Sequence, residues 1–461
     1  MARSITFHGA AQTVTGSRHL LTLGKKKILI DCGLFQGRRE IRARNWEPFP
    51  VDVTSLDAIV LTHAHTDHAG FLPRVVRQGY SGPVYATPGT ISIAKVSLPD
   101  GGRIQEEDAR YHNRHRTSRH EPAEPLFTEA DAMRALKLLK PVRYHVPQKL
   151  PGGASVRLLP AGHILGAAIA EITLPDGKLL VMSGDVGRYD RPIIKDPSPV
   201  YTADYLVMES TYGNRLHSDR EAKPVLERLF IEAVQNKSVV LVPSFAIGRT
   251  QELLWDIHEL TEEGRIPKIP IYVDSPMATA ATLLYATHKE DHDKEMKVRL
   301  AKGETPLKPD LVRFVRDRAM SKSLNKEKGP MVIIAGSGML SGGRIVHHLR
   351  IRLPDPSTVL LFTGYQAEGT RGRDLIEGAK QIRLFGHNVE VNARIERLDS
   401  LSAHADYSEL LRWLESIQEP PRTTYLVHGE LRVQKELKRR IEEKFGWPVE
   451  IPGHGQSFEL D

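Results

Sequence analysis

The chain has 461 residues but only one cysteine, Cys32, which excludes an internal disulfide and any zinc cluster built on thiolates. Cys32 reads as a small buried hydrophobe. No apolar run approaches the roughly 20 residues of a bilayer-spanning helix, so no membrane association is expected. The opening residues Met1-Ala2-Arg3-Ser4-Ile5-Thr6-Phe7 lack the charged-then-apolar pattern of a secretory leader and read as a strand, which makes the cytoplasm the expected location. Repeats and low-complexity tracts are also missing. The length exceeds what one hydrophobic core holds, and a 40% hydrophobic content with mean hydropathy −0.33 describes a chain able to bury a sizeable core. Two domains are the natural expectation.

The net charge of +7, with pI near 9.2, suggests a polyanionic partner, although the excess is modest for 51.6 kDa. Its distribution is more informative. Between 110 and 120 stand Arg110, Arg114, Arg116 and Arg119 with His112, His115 and His120, followed by a Pro-interrupted stretch, which reads as a mobile basic loop. A second cluster, Lys435, Lys438, Arg439 and Arg440, lies on a C-terminal helical pattern and reads equally well as a solvated face.

Short buried runs recur at 26–31, 57–62, 155–159, 178–184, 204–208, 238–243, 331–335, 358–363 and 423–427. Helical patterns separate several of them, at 129–140 after the capping residue Thr128, 249–260, 406–416 and 430–444. This alternation marks a layered α/β protein. Directly after the run Asp57–Thr62 comes His63-Ala64-His65-Thr66-Asp67-His68, on the loop leaving a strand's carboxyl end, where open α/β sheets place ligands. Two histidines one residue apart can turn toward one ion, and Asp67 with His68 toward a second. Zinc accepts both ligand types, and a pair of ions clamps the attacking and leaving oxygens of a phosphoryl displacement. A solvated His-rich turn is the bland alternative, but four ligand-type side chains in six positions behind a buried strand argue against it.

Other chemistry-bearing residues also follow strands: His163, Asp185, Glu209 and His428. Each alone is an ordinary polar turn residue. Together they bring five strand ends to one rim and supply what two metals need beyond the four side chains of the first loop.

With these motifs the chain resembles metallo-β-lactamase-fold nucleic-acid hydrolases of the β-CASP group, most nearly the stand-alone bacterial RNA-processing members related to the endonuclease subunit of the eukaryotic mRNA 3′-end cleavage machinery. The family pattern falls on Asp31 in Ile30-Asp31-Cys32-Gly33, on His163, on Asp185, on Glu209 in Glu209-Ser210-Thr211-Tyr212-Gly213, on His404 in Ser402-Ala403-His404-Ala405-Asp406, and on His428 in Val427-His428-Gly429-Glu430. The resemblance implies an α/β fold, a metallo-β-lactamase αβ/βα sandwich at 1–212 and 391–461, with an α/β β-CASP domain inserted at 213–390. It implies two Zn2+ ions, with Mn2+ as an alternative: one on His63, His65, His163 and Asp185, the other on Asp67, His68, Asp185 and His428. Asp31 is implied as the carboxylate orienting a ligand histidine.

The implied activity is hydrolysis of single-stranded RNA by a hydroxide held between the metals, with His404, kept protonated by Glu209, as general acid, leaving 5′-phosphate and 3′-hydroxyl ends. Members acting on RNA carry histidine at the position of His428, whereas DNA-repair members have valine. The archaeal amino-terminal RNA-binding modules and the carboxyl-terminal domain of ribonuclease J find no counterpart here, which favours an endonuclease over a 5′ exonuclease; a DNA nuclease stays as an alternative, and homodimerisation stays open. Turns at Ser244 to Arg249 and at Ser337, Gly338 and Met339 are candidate phosphate contacts. RNA is expected to enter between the domains, under the basic loop. A glyoxalase-II-like thioester hydrolase shares the histidine loop but has little use for Glu209 and His404, since a thiolate departs without a positioned acid.

Overall fold

The protein is described by a computed structural model covering residues 3–118, 121–217, 221–364, 366, 369–398 and 401–461. It forms two compact units, one of Met1–Arg191, Lys195–Leu216 and His404–Asp461, the other of Pro192–Ile194 and His217–Ala403.

The first unit holds two seven-stranded sheets. One runs from edge to edge as Ser457–Glu459, Arg3–Phe7, His19–Leu23, Lys26–Ile30, Ala58–Val60, Val84–Ala86 and Leu139–Pro141. The other runs as Val449–Glu450, Thr423–Val427, Tyr205–Glu209, Leu179–Met182, Ala168–Thr173, Ser155–Pro160 and Gln148–Lys149. The period-2 alternation of a strand decides which side chains meet. Ile5, Phe7, Leu21, Leu23, Ile28 and Ile30 from one sheet join Val156, Leu158, Ala170, Ile172, Val207 and Val427 from the other in one core. Intervening residues such as Leu29 and Ile59 are also fully buried, so these strands are covered on both faces and read as continuous apolar runs. Parallel neighbours need crossovers, which the helices Leu72–Arg77, Pro88–His115 and Glu129–Leu136 provide. The last begins with a Thr128–Asp131 capping box, at the residue its sequence marks as the cap.

The second unit is built on a six-stranded sheet ordered Val312–Phe314, Ile271–Asp274, Met331–Ala335, Val239–Pro243, Val359–Phe362 and Arg394–Arg397, with every neighbouring pair parallel. Val240 and Val242 pack with Leu253, Leu254 and Ile257 on one side; Val239 and Leu241 pack with Ile345, Val346 and Leu349 on the other. Helices thus cover both faces of a doubly wound parallel sheet, in a unit inserted along the sequence between the parts of the first.

One expectation needs correction. The segment at 110–115 is not a loop but the exposed end of the helix Pro88–His115. It contains no glycine, proline or β-branched residue, and a helix already nucleated upstream propagates through such sequence one bond at a time. Arg116 ends the helix in the left-handed conformation, and Arg119 and His120 lie outside the described residues. Arg394–Arg397 is paired with Val359–Phe362 of the second unit's sheet, Leu398 N–H donates to the Phe362 carbonyl, and the compact first unit resumes at His404. The basic cluster near 438 is a solvated helix face, with Lys438, Arg439 and Arg440 each ion-paired to Glu442, Glu436 or Glu443. Among the described residues no helix is long and apolar enough to cross a membrane.

Truncation of Leu158, fully buried between the two sheets, removes packing that the flanking strands cannot refill. Leu158→Ala is expected to cost about 2–5 kcal/mol, read as a lower denaturation midpoint of the first unit with its far-ultraviolet spectrum retained.

Candidate metal centre

The first loop leaves the strand Ala58–Val60 and turns into the short helix Thr66–Ala69. Backbone hydrogen bonds pin it: Cys32 N–H to the His68 carbonyl, Leu34 N–H to Thr66 and Ser17 N–H to Asp67. His163 sits on the connection between Ser155–Pro160 and Ala168–Thr173. That turn is held where Gly187 N–H reaches the Ala161 carbonyl, and a Cβ at Gly187 would come within 1.8 Å of the Gly162 oxygen. Asp185 follows Leu179–Met182, and Glu209 ends Tyr205–Glu209, which pairs in parallel with Thr423–Val427 so that His428 emerges beside it. His404 is fixed by a bridge to Gly187 and by Ala405 N–H on the Val186 carbonyl.

Two sets of ligand atoms result. His63 Nε2 and His163 Nε2 stand 3.2 and 3.1 Å from His65 Nδ1, and 3.3 and 3.4 Å from Asp185 Oδ2. A tetrahedron with bonds of 2.0–2.1 Å has edges of about 3.3–3.4 Å. The spacing therefore fits four ligands of one zinc-sized ion. In the second set, His428 Nε2 is 3.3 Å from Asp67 Oδ2 and His68 Nε2 is 3.2 Å from Asp185 Oδ1. Asp67, His68 and His428 offer atoms within 4.8 Å of one another. Hydrogen bonding alone does not satisfy these groups. A single His65 Nδ1 cannot donate to both neighbouring imidazoles, and Asp185 Oδ1, fully buried, has no donor. A bound cation would resolve both problems, and the cluster is able to hold metal.

The remaining ring nitrogens have defined partners. His68 Nδ1–H donates to Asp31 Oδ2 at 2.7 Å, since a carboxylate only accepts, and this turns Nε2 toward Asp185. Asp31 is itself held by the Thr62 backbone N–H and hydroxyl, and the same hydroxyl lies 3.1 Å from His63 Nδ1. Thr211 Oγ1 donates to the His428 carbonyl and lies 3.0 Å from its Nδ1. Asp31 and His428 both adopt left-handed backbone, φ 59° and 51°, a conformation costly for non-glycine residues and kept where the surroundings enforce it. Glu209, fully buried, accepts from Val186 N–H and from His404 Nδ1–H at 3.0 Å.

Burial and the neighbouring imidazoles hold His63, His65 and His163 below the usual histidine range, His65 at about 3, which keeps them neutral as ligands must be. Burial also opposes charge on His68 and His404, but nearby carboxylates outweigh it. Asp185 and Asp31 raise His68, and Glu209 with Asp185 brings His404 up to about 9. Asp185 is held well below the usual carboxylate range by the surrounding imidazoles, against its burial.

The structure gathers His63, His65, Asp67, His68, His163, Asp185, His428, Asp31, Glu209 and His404 in the first unit. The candidate phosphate contacts lie in the second. Pro243 and Ala335 are register partners, so the Ser244 and Ser337 turns are neighbours. The side chains of Ser244 and Arg249 are turned inward. The Ser244 hydroxyl bonds Thr250 and the Phe245 carbonyl, and Arg249, buried, pairs with Glu252 at 3.0 Å. Ser337 stays at the surface beside Ser341, and the Gly338 carbonyl accepts from Gln366, with Met339 next in the turn. Sequence reasoning missed Thr62, Thr211 and Ser17, whose hydroxyl lies 3.4 Å from His68 Nε2. Thr62 and Thr211 each stand beside a motif residue, which was the one available signal.

A two-sheet sandwich whose strand ends collect imidazoles and carboxylates into paired ligand sets defines a metal-dependent hydrolase. Residues 20–184 match the metallo-β-lactamase superfamily domain, 250–375 the β-CASP domain and 388–452 the Zn-dependent metallo-hydrolase RNA specificity domain. Ribonuclease TTHA0252 of Thermus thermophilus is 39% identical over 423 residues, 92% of each chain. The RNase J-like protein of Methanocaldococcus jannaschii is 29% identical over 98% of both chains, and transcription termination factor FttA of Methanosarcina mazei 28% identical over 95% of this chain and 69% of its own. A protein of unknown function from Enterococcus faecalis V583 shares the fold, with TM-score 0.55 and 15% identity over the whole of both chains. The chain belongs to the β-CASP family of metallo-β-lactamase-fold hydrolases, whose named relatives here include ribonucleases.

Removing the hydroxyl that joins Asp31 to His63 without changing shape tests the outer support of the ligands. Thr62→Val should weaken zinc affinity roughly 10- to 100-fold in competition against a chromogenic chelator, with secondary structure unchanged.

Proposed function

We propose that the chain is a zinc-dependent endoribonuclease that cleaves single-stranded RNA to 5′-phosphate and 3′-hydroxyl ends. One juxtaposition carries the reading: the Glu209–His404 pair stands against the ligand sets, with His404 Nδ1 3.9 Å from Asp185 Oδ2. His63, His65, His163 and Asp185 Oδ2 would hold one ion, and Asp67, His68, His428 and Asp185 Oδ1 the other, as zinc or, in its place, manganese. Bound there, such a pair acidifies water into a nucleophile and offsets charge on phosphoryl oxygens. The chain's own residues do the rest. Asp31, Thr62 and Thr211 fix the imidazole orientations. His404, its Nδ1–H held by Glu209, presents Nε2–H as the proton for the departing 3′ oxygen, and the Glu209 carboxylate favours the charged form before transfer. A phosphodiester needs this acid because its leaving alkoxide is basic, whereas a thioester does not.

Because water is the nucleophile, the 2′-hydroxyl is not required chemically. RNA is the proposed substrate on the strength of the ribonuclease relatives and of histidine at 428. Ser337 and the backbone of Gly338 and Met339 are the proposed phosphate contacts of the second unit, Ser244 and Arg249 shaping that turn from within.

Metal analysis of unchelated protein should return two zinc-type ions per chain, and Asp185→Asn fewer; one ion in both would remove the dinuclear site. His404→Ala should keep both ions while losing on the order of 10²- to 10⁴-fold in rate on an internally labelled RNA. Sulfur in place of the bridging 3′ oxygen leaves without a proton, so this substrate should restore the variant selectively. Absence of that rescue refutes the acid role, and mapped product ends with 5′-hydroxyl groups refute departure of the 3′ oxygen.

A further inference from the structure

The segment Arg38–Trp46 carries arginines at 38, 39, 42 and 44 and ends on an exposed tryptophan. It belongs to neither the ligand sets nor the Glu209–His404 pair, yet it is tied to the rim of the metal centre. Gly33 lies against the Asp67 carbonyl so closely that a Cβ would meet it at 1.6 Å, and Leu34 N–H bonds Thr66. Gln36 N–H donates to the Thr15 hydroxyl, on the loop whose Ser17 N–H holds Asp67 and whose Ala10 carbonyl accepts from His428 N–H. Asn45 closes the segment by bonding both the N–H and the carbonyl of Phe35. Arg39 is three residues beyond the pinned Gln36, a reach of at most about 11 Å. The excursion thus leaves and rejoins the fold at Gln36 and Asn45, both tied to the Gly33–Phe35 segment or the Thr15–Ser17 loop that hold the Asp67 loop.

Its surface chemistry fits one class of occupant. Arg39, Arg42 and Arg44 have no carboxylate within 4.0 Å among the described residues, and Arg39 and Arg42 are exposed. Exposed cations that fold without anionic partners are available to phosphates. Trp46 is 55% exposed, whereas Trp255, Trp413 and Trp447 are at most 5% exposed. With more than half of its surface open, a large indole offers a face on which an unpaired base can stack. Beneath the segment, Arg18 packs its guanidinium over Phe71 at 3.8 Å and Phe35 at 4.7 Å and donates to Gly33 and Asn45, so the platform has a rigid floor.

We infer that Arg39, Arg42, Arg44 and Trp46 form a single-stranded-RNA subsite beside the metal centre, the arginines holding phosphates and Trp46 stacking one base. This rests on the RNA reading above and adds the path taken by the strand next to the scissile bond. Double-stranded RNA, whose bases are already stacked and paired, does not fit the Trp46 face.

The test uses full-length metal-loaded protein. With His404→Ala to prevent turnover, a single-stranded oligouridylate should quench tryptophan emission, and the corresponding duplex should not. Adding Trp46→Leu should remove the quench and weaken binding about tenfold. In protein with His404 intact, Arg39→Ala/Arg42→Ala should raise KM on long RNA at least tenfold with kcat retained, and should flatten the salt dependence of binding by about 1.4, or 0.7 for each lost phosphate contact. Arg39→Lys/Arg42→Lys should recover most of the affinity, which a purely structural defect would not allow. Unchanged quench in Trp46→Leu, or unchanged KM and salt slope in the arginine pair, overturns the subsite while RNA cleavage by the parent stands. Parent protein that neither binds nor cleaves RNA overturns the substrate reading and this inference with it.

Discussion

The first unit is organised around one buried carboxylate. Asp185, 2% exposed, has imidazoles of His63, His68, His163, His404 and His428 within 3.2–3.9 Å. An isolated carboxylate in a medium of low dielectric costs tens of kcal/mol, so its burial demands compensating positive charge. The two oxygens of Asp185 face different groups of ligands, which makes this residue the shared edge of both sets. His68 and His404, raised by the neighbouring carboxylates, supply part of that charge, whereas burial and mutual repulsion hold His63, His65 and His163 deprotonated. A cluster able to bind metal meets the rest of that demand, and the two-sheet fold is the frame that brings the groups to the same place.

Sheet geometry does this by pooling strand ends. Parallel pairing of Tyr205–Glu209 with Thr423–Val427 puts Glu209 opposite Val427, so that His428 emerges next to a residue 219 positions earlier in the chain (428 − 209). Left-handed backbone at Asp31 and His428 turns those side chains off the strand direction into the site, strain that the packed sheets sustain. Gly33, Gly162 and Gly187 complete the arrangement by close approach. At Gly33 and Gly187 any Cβ would collide with a carbonyl oxygen of a ligand loop.

Much of this was legible beforehand. Four ligand-type side chains in six positions after Asp57–Thr62 pointed to a metal loop, and the β-branched runs marked strands of both sheets. The family resemblance then reached Asp31, His163, Asp185, Glu209, His404 and His428, residues that local pattern leaves indistinguishable from ordinary turns. What escaped followed from context. The polar segment 110–115 has no apolar stripe, yet it continues a helix nucleated at Thr87. Arg249 carries the charge expected of a phosphate ligand, but it is buried against Glu252, a partner on its own helix turn that sequence cannot distinguish from an exposed neighbour. Arg394–Arg397 is a polar strand that reads as linker until its partner Val359–Phe362 is known.

Periodicity and ligand spacing within a few residues were determined by the sequence alone, because a strand's alternation and a six-residue loop's reach are set by local backbone geometry. Which atoms of distant residues face one another was decided only by the tertiary structure. The choice of Nε2 on His63 and Nδ1 on His65, the hydroxyls of Thr62 and Thr211 behind the ligands, and the seating of Arg38–Trp46 against the Asp67 loop all depend on pairings between segments far apart in the chain. Those pairings form because apolar faces must be buried together, and burial is a property of the whole fold rather than of any stretch within it.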